Sequence, residues 1–575
     1  MHGARSMSLR LLAAVLAAAI LACNNPPLRD QDLVGGGDGG GGGGGGDDDG
    51  EPPPPPDPPP DPVTPVAWPP LQEGIEHLRL DFPQSTADIV YELWSKVYAP
   101  GRLFLAGAWH DVELRQRGDG AREHPKHSWK TRHPTGVAMS GAAGAGSWHA
   151  RTRNYLAEWA DGGYLADPFS YGLMRGAGVR APRFRYITLE VTGELQGVYV
   201  EVQDADDKHF LRDQGFDETS NVYRCGLRDC ELKLTPPSSY QGPWEKETNE
   251  LGSDEDLWAF LRGLARTPEH ELKAWLEQNV ELDALVRTYA VAILISWSGI
   301  DDSGSYLVHD AGTGKWTFVP WDLNNAKLVY WRNNDPSWSA PSRYAIPTYT
   351  LYDPATIGVA AGKSARYGVE AHPPFVVLFQ RLWDLPALRN RVLDEVEAML
   401  DGVFSAAEAG ARIDAQHALI RPELLQDPWT TDPDGTLTEH AERSPAWLKE
   451  YVALRTAFLR QQIPLERRRG EGGLVVNAVG PGFVELHNRE DTPRDLGGLA
   501  ITDDLRARLK LPLAAGTVVP AHGTLTLPFA VAEDGGEVGI FDVATQLPLD
   551  AVFFAPLGGR TYARTPEGEE TWGWR

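Results

Sequence analysis

Asp322 closes the run Lys315-Trp-Thr-Phe-Val-Pro-Trp-Asp-Leu-Asn324, and Asp301 and Asp302 stand upstream in Ile300-Asp-Asp-Ser-Gly-Ser-Tyr-Leu307. One acid on a polar loop and another ending an apolar strand is the layout of a magnesium–phosphate site. In such a site one carboxylate lies beside an acceptor hydroxyl and the second carries Mg²⁺. The same spacing also describes a β-hairpin with a solvated acidic turn.

These residues need elements to position them. Tyr289-Ala-Val-Ala-Ile-Leu-Ile-Ser-Trp297 reads as a helix buried on every side, which sets the acidic loop after it against a core. Upstream, the pattern predicts strands at 112–117, 184–191 and 198–202, with the turn Thr192-Gly-Glu194 joining the last two as a hairpin. Downstream of residue 250 it predicts helices at 254–266, 269–279, 282–297, 387–400, 407–420 and 445–462. Strands followed by helices, with acidic loops at the join, imply a bilobal α+β domain over 68–466. Residues 471–575 carry short apolar runs separated by Gly, Pro and Asp turns, the pattern of an all-β, immunoglobulin-like sandwich. The linker Arg467-Arg-Arg-Gly-Glu-Gly-Gly473 marks the boundary.

At roughly 100–200 residues per domain, a chain of 575 residues has room for two to four. Its start is not one of them. Arg5 and Arg10 precede a dozen apolar residues ending at Ala22, a secretion signal too short to span a bilayer. Ile20-Leu-Ala-Cys23 resembles a bacterial lipobox, so residues 1–22 are expected to be a signal peptide and Cys23 the lipidated residue of a membrane-anchored, exported protein. Residues 23–67 are nearly all Gly, Asp and Pro, with too little apolar surface to offset ordering entropy, and read as a disordered stalk. The net charge of −26 argues against a nucleic-acid partner, because phosphate backbones need clustered Lys and Arg. Cys225 and Cys230 close a short loop, and no second Cys or His pair at ligand spacing lies nearby. In an oxidising compartment they are expected to form a disulfide.

Taken in order, several segments resemble the CotH kinase family, whose members are built like atypical protein kinases. The resemblance rests on Arg117-Gly-Asp-Gly-Ala-Arg122 with Lys126-His-Ser128, Gly178-Val-Arg-Ala-Pro182, and Gly193-Glu-Leu-Gln-Gly-Val-Tyr-Val-Glu201. It continues through Asp207-Lys-His-Phe-Leu211, Asn221-Val-Tyr-Arg224, Thr313–Asp322, Ile420-Arg-Pro422 with Asp427-Pro428, and Leu448-Lys-Glu-Tyr451 with Arg455. Residues 471–575 resemble a lamin-tail domain through Leu474-Val-Val-Asn477, Val484–Asn488, Asp495–Asp503 and Arg564-Thr-Pro-Glu-Gly568.

The resemblance implies ATP with Mg²⁺ or Mn²⁺ as cofactors and Ser or Thr of envelope or coat proteins as acceptors. Asp322 is then the metal carboxylate, and Asp301 orients the acceptor hydroxyl with Asp302 as its rival. Arg117, Arg122 and Lys126 around Gly118 and Gly120 suit a loop over the phosphates, although a basic surface turn reads the same way. Glu201, or Asp204 after it, is the acid leading out of the hairpin on the nucleotide side. Two departures stand out. Relatives carry an Asn where this chain has Ser303-Gly304-Ser305, and Asp where it has Asn324. They keep open an alternative in which a catalytically impaired pseudokinase serves as an adhesion or scaffolding module. No Gly-x-Ser-x-Gly or His-Glu-x-x-His motif supports a hydrolase.

Overall fold

The computed structural model describes residues 66–93, 95–118, 120–225, 232, 244–267, 269–297, 305–326, 328–330, 377–467, 473–503, 509–533, 536–544, 548–554, 557–569 and 572–575. The signal peptide, Cys23, most of the Gly/Asp/Pro linker, Cys230, Asp301 and Asp302 lie outside these residues. The fold is α+β, and its first part is a closed barrel where the sequence suggested only a lobe of sheet.

The barrel strands are β1 (Glu76–Asp81), β2 (Ala99–Leu105), β3 (Ala108–Arg117), β4 (Ser128–Arg132), β5 (Thr152–Leu156), β6 (Phe184–Val191) and β7 (Glu194–Gln203). They follow the order β1-β2-β3-β4-β5-β7-β6. Closure comes from β1, which pairs antiparallel with β2 and parallel with β6, setting Leu78 beside Leu189. Leu78, Leu80, Leu103, Leu114, Trp129, Tyr155, Ile187 and Tyr199 share the apolar interior. A barrel leaves no strand edge unpaired.

A buried ionic network ties four of these strands. Glu201 of β7 pairs with Arg153 of β5 and with Arg185 of β6, and Arg185 also reaches Glu76 of β1 at 2.7 Å. Burial alone would raise the Glu201 pKa, but Arg185 and Arg153 hold it below the ordinary carboxylate value. Gly141 lets the network close, since a Cβ there would meet Glu76 Oε2 at 2.3 Å.

Among the described residues the helices are, in chain order, α1 (Gln84–Val90), α2 (Ala166–Gly176), α3 (Lys208–Asp213), α4 (Glu255–Arg266), α5 (Glu269–Asn279), α6 (Leu282–Ile295), α7 (Val377–Asp384), α8 (Pro386–Asp401), α9 (Ala406–Leu424) and α10 (Glu439–Arg467), the first two lying between barrel strands. A second sheet runs β11 (Trp316–Pro320), β10 (Ser305–His309), β8 (Asn221–Cys225), β9 (Trp244–Lys246). Eleven of the fourteen residues of α6 are buried; it packs on β11, α2 and α8. Among the described residues no helix is long and apolar enough to cross a membrane.

The C-terminal strands are β12 (Leu474–Gly480), β13 (Phe483–Asn488), β14 (Arg494–Asp495), β15 (Leu499–Thr502), β16 (Leu511–Pro512), β17 (Val518–Val519), β18 (Thr524–Pro528), β19 (Gly536–Asp542), β20 (Pro548–Phe554), β21 (Tyr562–Arg564) and β22 (Trp572–Trp574). They form sheets β18-β13-β12-β21-β22 and β16-β15-β19-β20, with the small pair β14-β17. One apolar core serves both larger sheets. Arg564 clasps them, pairing with Asp550 Oδ2 at 3.0 Å while donating to Val476 O at 2.8 Å.

Replacing the shared anion in Glu201→Gln strands two buried guanidiniums, and the barrel is expected to lose about 3–5 kcal/mol. Urea denaturation of the full chain reads this as a lower midpoint.

Candidate functional site

Every residue of β11 is buried. Trp321 follows it, buried as well, and Asp322 then turns away in the left-handed region at φ 55° and ψ 52° to head a 3₁₀ turn, Leu323–Asn325. Asp adopts this conformation more readily than most residues, though it still costs about 1–3 kcal/mol. The result is a part-exposed carboxylate at the end of a buried strand. Ser305 pairs with Pro320, so the entry to β10 and the exit from β11 share one end of the hairpin.

The last turn of α6 is anchored at the same place. Ser296 ends it with φ 50°, and Trp297 bridges to Ala326 just beyond Asp322. Tyr451 Oη donates to Leu294 O at 2.9 Å and lies 2.6 Å from Ser296 Oγ. Arg455, fully buried on α10, donates from Nε and Nη2 to Ile293 O at 3.0 and 2.6 Å. Carbonyls in a helix's last turn lack intrahelical donors, and these two side chains supply them. The family-like pair Tyr451 and Arg455 therefore fixes the helix that leads into the acidic loop.

Opposite Asp322 stands the head of α2, which packs on the 3₁₀ turn. Three acids collect here that the sequence did not single out: Glu158, Asp161 and Asp167. Asp161 caps the helix, accepting from the backbone N–H of Gly163, Leu165 and Ala166 at 2.9, 2.7 and 2.8 Å. Asp167, in the first helical turn, is 0% exposed, and its side chain is hydrogen-bonded to that of Glu158. Facing it is a second carboxyl, Glu158, 7% exposed and itself in the left-handed region at φ 45°. Tyr171 lies one turn further along α2, with its Oη buried and unbonded and with Asp167, Asp322 and Glu158 as electrostatic neighbours.

Burial and neighbouring acids set the protonation of this pocket. Burial first, and then the Asp322 charge, raise Asp167 to about 8, against the lowering pulls of its hydrogen bond with Glu158 and of Arg117. Burial, then Asp167 and Asp161, push Glu158 well above its usual range. Arg117, at the end of β3, places its guanidinium 5.2 Å from the Trp321 ring centroid, with Nη1 buried and unbonded. Carboxylates that close, with one guanidinium among them, hold either a proton or a cation.

Of the residues expected to bind nucleotide, the structure brings Arg117 to Trp321, the neighbour of Asp322, and engages the others elsewhere. Arg122 is buried and donates to Ser95 O at 2.7 Å. Lys126 is buried too, its Nζ 2.6 Å from Tyr164 Oη and from Val198 O and 3.0 Å from Asp427 Oδ2. Glu201 belongs to the barrel network. Its rival Asp204 receives Lys130 at 2.6 Å. Cys225 is buried at the end of β8, while Cys230 lies outside the described residues.

Glu158, Asp161 and Asp167 escaped notice because two of them lie in an irregular segment and the third in a short helix, Ala-Asp-Pro-Phe-Ser-Tyr-Gly-Leu-Met-Arg-Gly, that holds Pro168 and Gly172. An Asp and a Pro in the first turn after a short polar stretch were the available signal.

Comparison with known proteins agrees with this geometry. The family described as CotH kinase protein matches residues 114–459, more than half of the chain. Against inner spore coat protein H of Bacillus subtilis (strain 168), the chain is 20% identical over 393 residues, covering 67% of this chain and 96% of that protein.

The raised Asp167 pKa has a stability consequence. Unfolded, the group titrates near 3.8; folded, near 8, so between these values the native state holds the extra proton. Its contribution is present at acid pH and is lost as pH rises toward 8, on the order of a few kcal/mol. Metal-free thermal melts from pH 5 to 9 should show this decline, and Asp167→Asn should flatten it.

Proposed function

The chain belongs to the CotH kinase protein family, and from that premise we propose that it binds Mg-ATP, or Mn-ATP, beside Asp322 and transfers phosphate to Ser or Thr of envelope or coat proteins. The carrying observation is the placement of Asp322: part-exposed, at the end of a buried strand, with Arg117 on one side and the acidic head of α2 on the other. Oxygen donors beside unbonded buried polar atoms fit a hard divalent cation. When bound, that cation neutralises phosphate charge. Arg117 adds a second positive group for the phosphates. Asp301, with Asp302 as its rival, orients the acceptor hydroxyl. Coat or envelope association draws support from the spore coat relative, and the Cys23 lipid and the Gly/Asp/Pro stalk supply the membrane attachment. The C-terminal sheets act as the lamin-tail-like domain.

A second reading has its own support. Lys126 and Glu201 are tied into buried ion pairs, and Ser303-Gly304-Ser305 offers no amide ligand. Both fit a pseudokinase that serves as an adhesion or scaffolding module.

Incubating the protein with labelled ATP, Mg²⁺ or Mn²⁺ and envelope extract separates the two. Kinase action predicts label transfer that falls by roughly two orders of magnitude or more in Asp322→Ala. Transfer unchanged in that variant removes Asp322 from the mechanism. Nucleotide binding also predicts stabilisation by Mg-ATP of about 2.7 kcal/mol at a hundredfold excess over Kd, seen as a higher melting temperature. No shift at millimolar nucleotide, with binding to cell-wall material, favours the scaffold.

A further inference from the structure

One face of α10 is neither core nor an ordinary charged helix surface. Glu439, His440, Arg443, Trp447 and Glu450 fall on a single stripe of the helix, at the three- and four-residue spacings that align side chains. With Tyr330, which lies downstream of Asp322 in the chain, they line a cavity of about 340 Å³. Small-molecule sites run from about 300 to 1,000 Å³. Neither Asp322 nor Arg117 is among the lining residues. We infer that this cavity is a binding site for a short neutral saccharide.

The lining has an apolar part and a polar part. Tyr330 and His440 each stand at 76° to Trp447, with ring centroids 5.2 and 5.3 Å from it. Such edge-to-face packing fixes the orientation of all three rings. Trp447 is largely buried and Tyr330 half-buried, so the cavity meets rings that the fold holds still. Around them stand the carboxylates of Glu439 and Glu450 and the guanidinium of Arg443. Arg443 is itself held in place, pairing with Glu439 Oε1 at 2.7 Å and lying 5.2 Å from the Trp447 ring centroid.

This lining sorts ligands by charge. A cation gains only from Glu450, since Glu439 already pairs with Arg443, and it would meet that guanidinium at the Trp447 ring. An anion would meet both carboxylates. A wholly apolar molecule would strip water from charged side chains and return no hydrogen bonds. A neutral molecule with C–H faces and a rim of hydroxyls meets none of these penalties. Its hydroxyls donate to Glu439 and Glu450, its oxygens accept from Arg443, and its C–H face packs on the electron-rich rings. A saccharide joins those properties in one ligand. Cell-wall amino sugars and neutral hexose polymers share this chemistry and differ in the N-acetyl group. The inference goes beyond phosphate transfer and does not depend on it.

The test is a calorimetric titration of the full chain, without nucleotide or metal, using an N-acetylglucosamine trisaccharide and a glucose trisaccharide as probes. Wild type should bind at least one of them, and the one it prefers identifies the source. Arg443→Ala and Glu450→Gln should each weaken that binding by at least about tenfold. Both side chains are exposed, so both variants should melt with wild type. Binding of neither probe overturns the assignment, as does unchanged affinity in both variants. Tighter binding of arginine amide or inorganic phosphate than of either sugar, lost in the same variants, also overturns it. Asp322→Ala should keep the full saccharide affinity; a sugar that is lost in that variant binds elsewhere and contradicts the site. Label transfer that fails while saccharide binding persists counts against the kinase reading and leaves this cavity standing.

Discussion

A carboxylate withdrawn from water must meet a positive charge or hydrogen-bond donors, or give up its own charge, and the placement of acids in this protein follows from that constraint. In the barrel, Arg153 and Arg185 flank Glu201 and join β5, β6 and β7, with Glu76 extending the tie to β1. Between the two C-terminal sheets, Arg564 and Asp550 do the same. These pairs bring distant segments into register but leave nothing for a ligand. At the head of α2 the last outcome applies: burial and neighbouring acids push Asp167 and Glu158 above the usual carboxylate range, so the pair holds a proton.

The elements around this pocket hold it in place. Lys126 reaches from the segment after β3 to Asp427, beyond α9, and the same Asp427 accepts from the Val198 N–H of β7 at 2.8 Å. Gly197 permits that approach, since a Cβ at this position would lie 2.0 Å from the Asp427 carboxyl carbon. The barrel is thereby bonded to the connection between α9 and α10. On the far side, Tyr451 and Arg455 of α10 secure the end of α6. The strained turns at Glu158, Ser296 and Asp322 sit between these two anchorages. Such conformations persist when their surroundings over-determine them.

Much of this was legible in the chain. Strand 184–191 and helix 269–279 appear with the expected ends, because alternation in the first and length with periodicity in the second are local signals. The strand into Asp322 was equally plain, bounded by Gly314 and by the polar Asp-Leu-Asn-Asn. Barrel closure was not, since a parallel pairing of β1 with β6 joins segments far apart in sequence. Lys126 and Glu201 show a second limit. A basic residue near glycines has the same sequence signature whether it faces a phosphate or a buried Asp, and only the fold decides between them. Asp167 lay in a short helix whose Pro168 and Gly172 weaken its propensity, and Glu158 in the irregular segment before it. The sequence accordingly showed one acid of the site and concealed the two that face it.

The most direct measurement is a crystal structure with Mn²⁺ and a non-hydrolysable ATP analogue, using the anomalous signal of manganese to locate the ion. The account predicts manganese at Asp322, with the phosphates against Arg117. Manganese and nucleotide bound away from Asp322, or a pocket that stays free of the ion at saturating Mn²⁺, would contradict it.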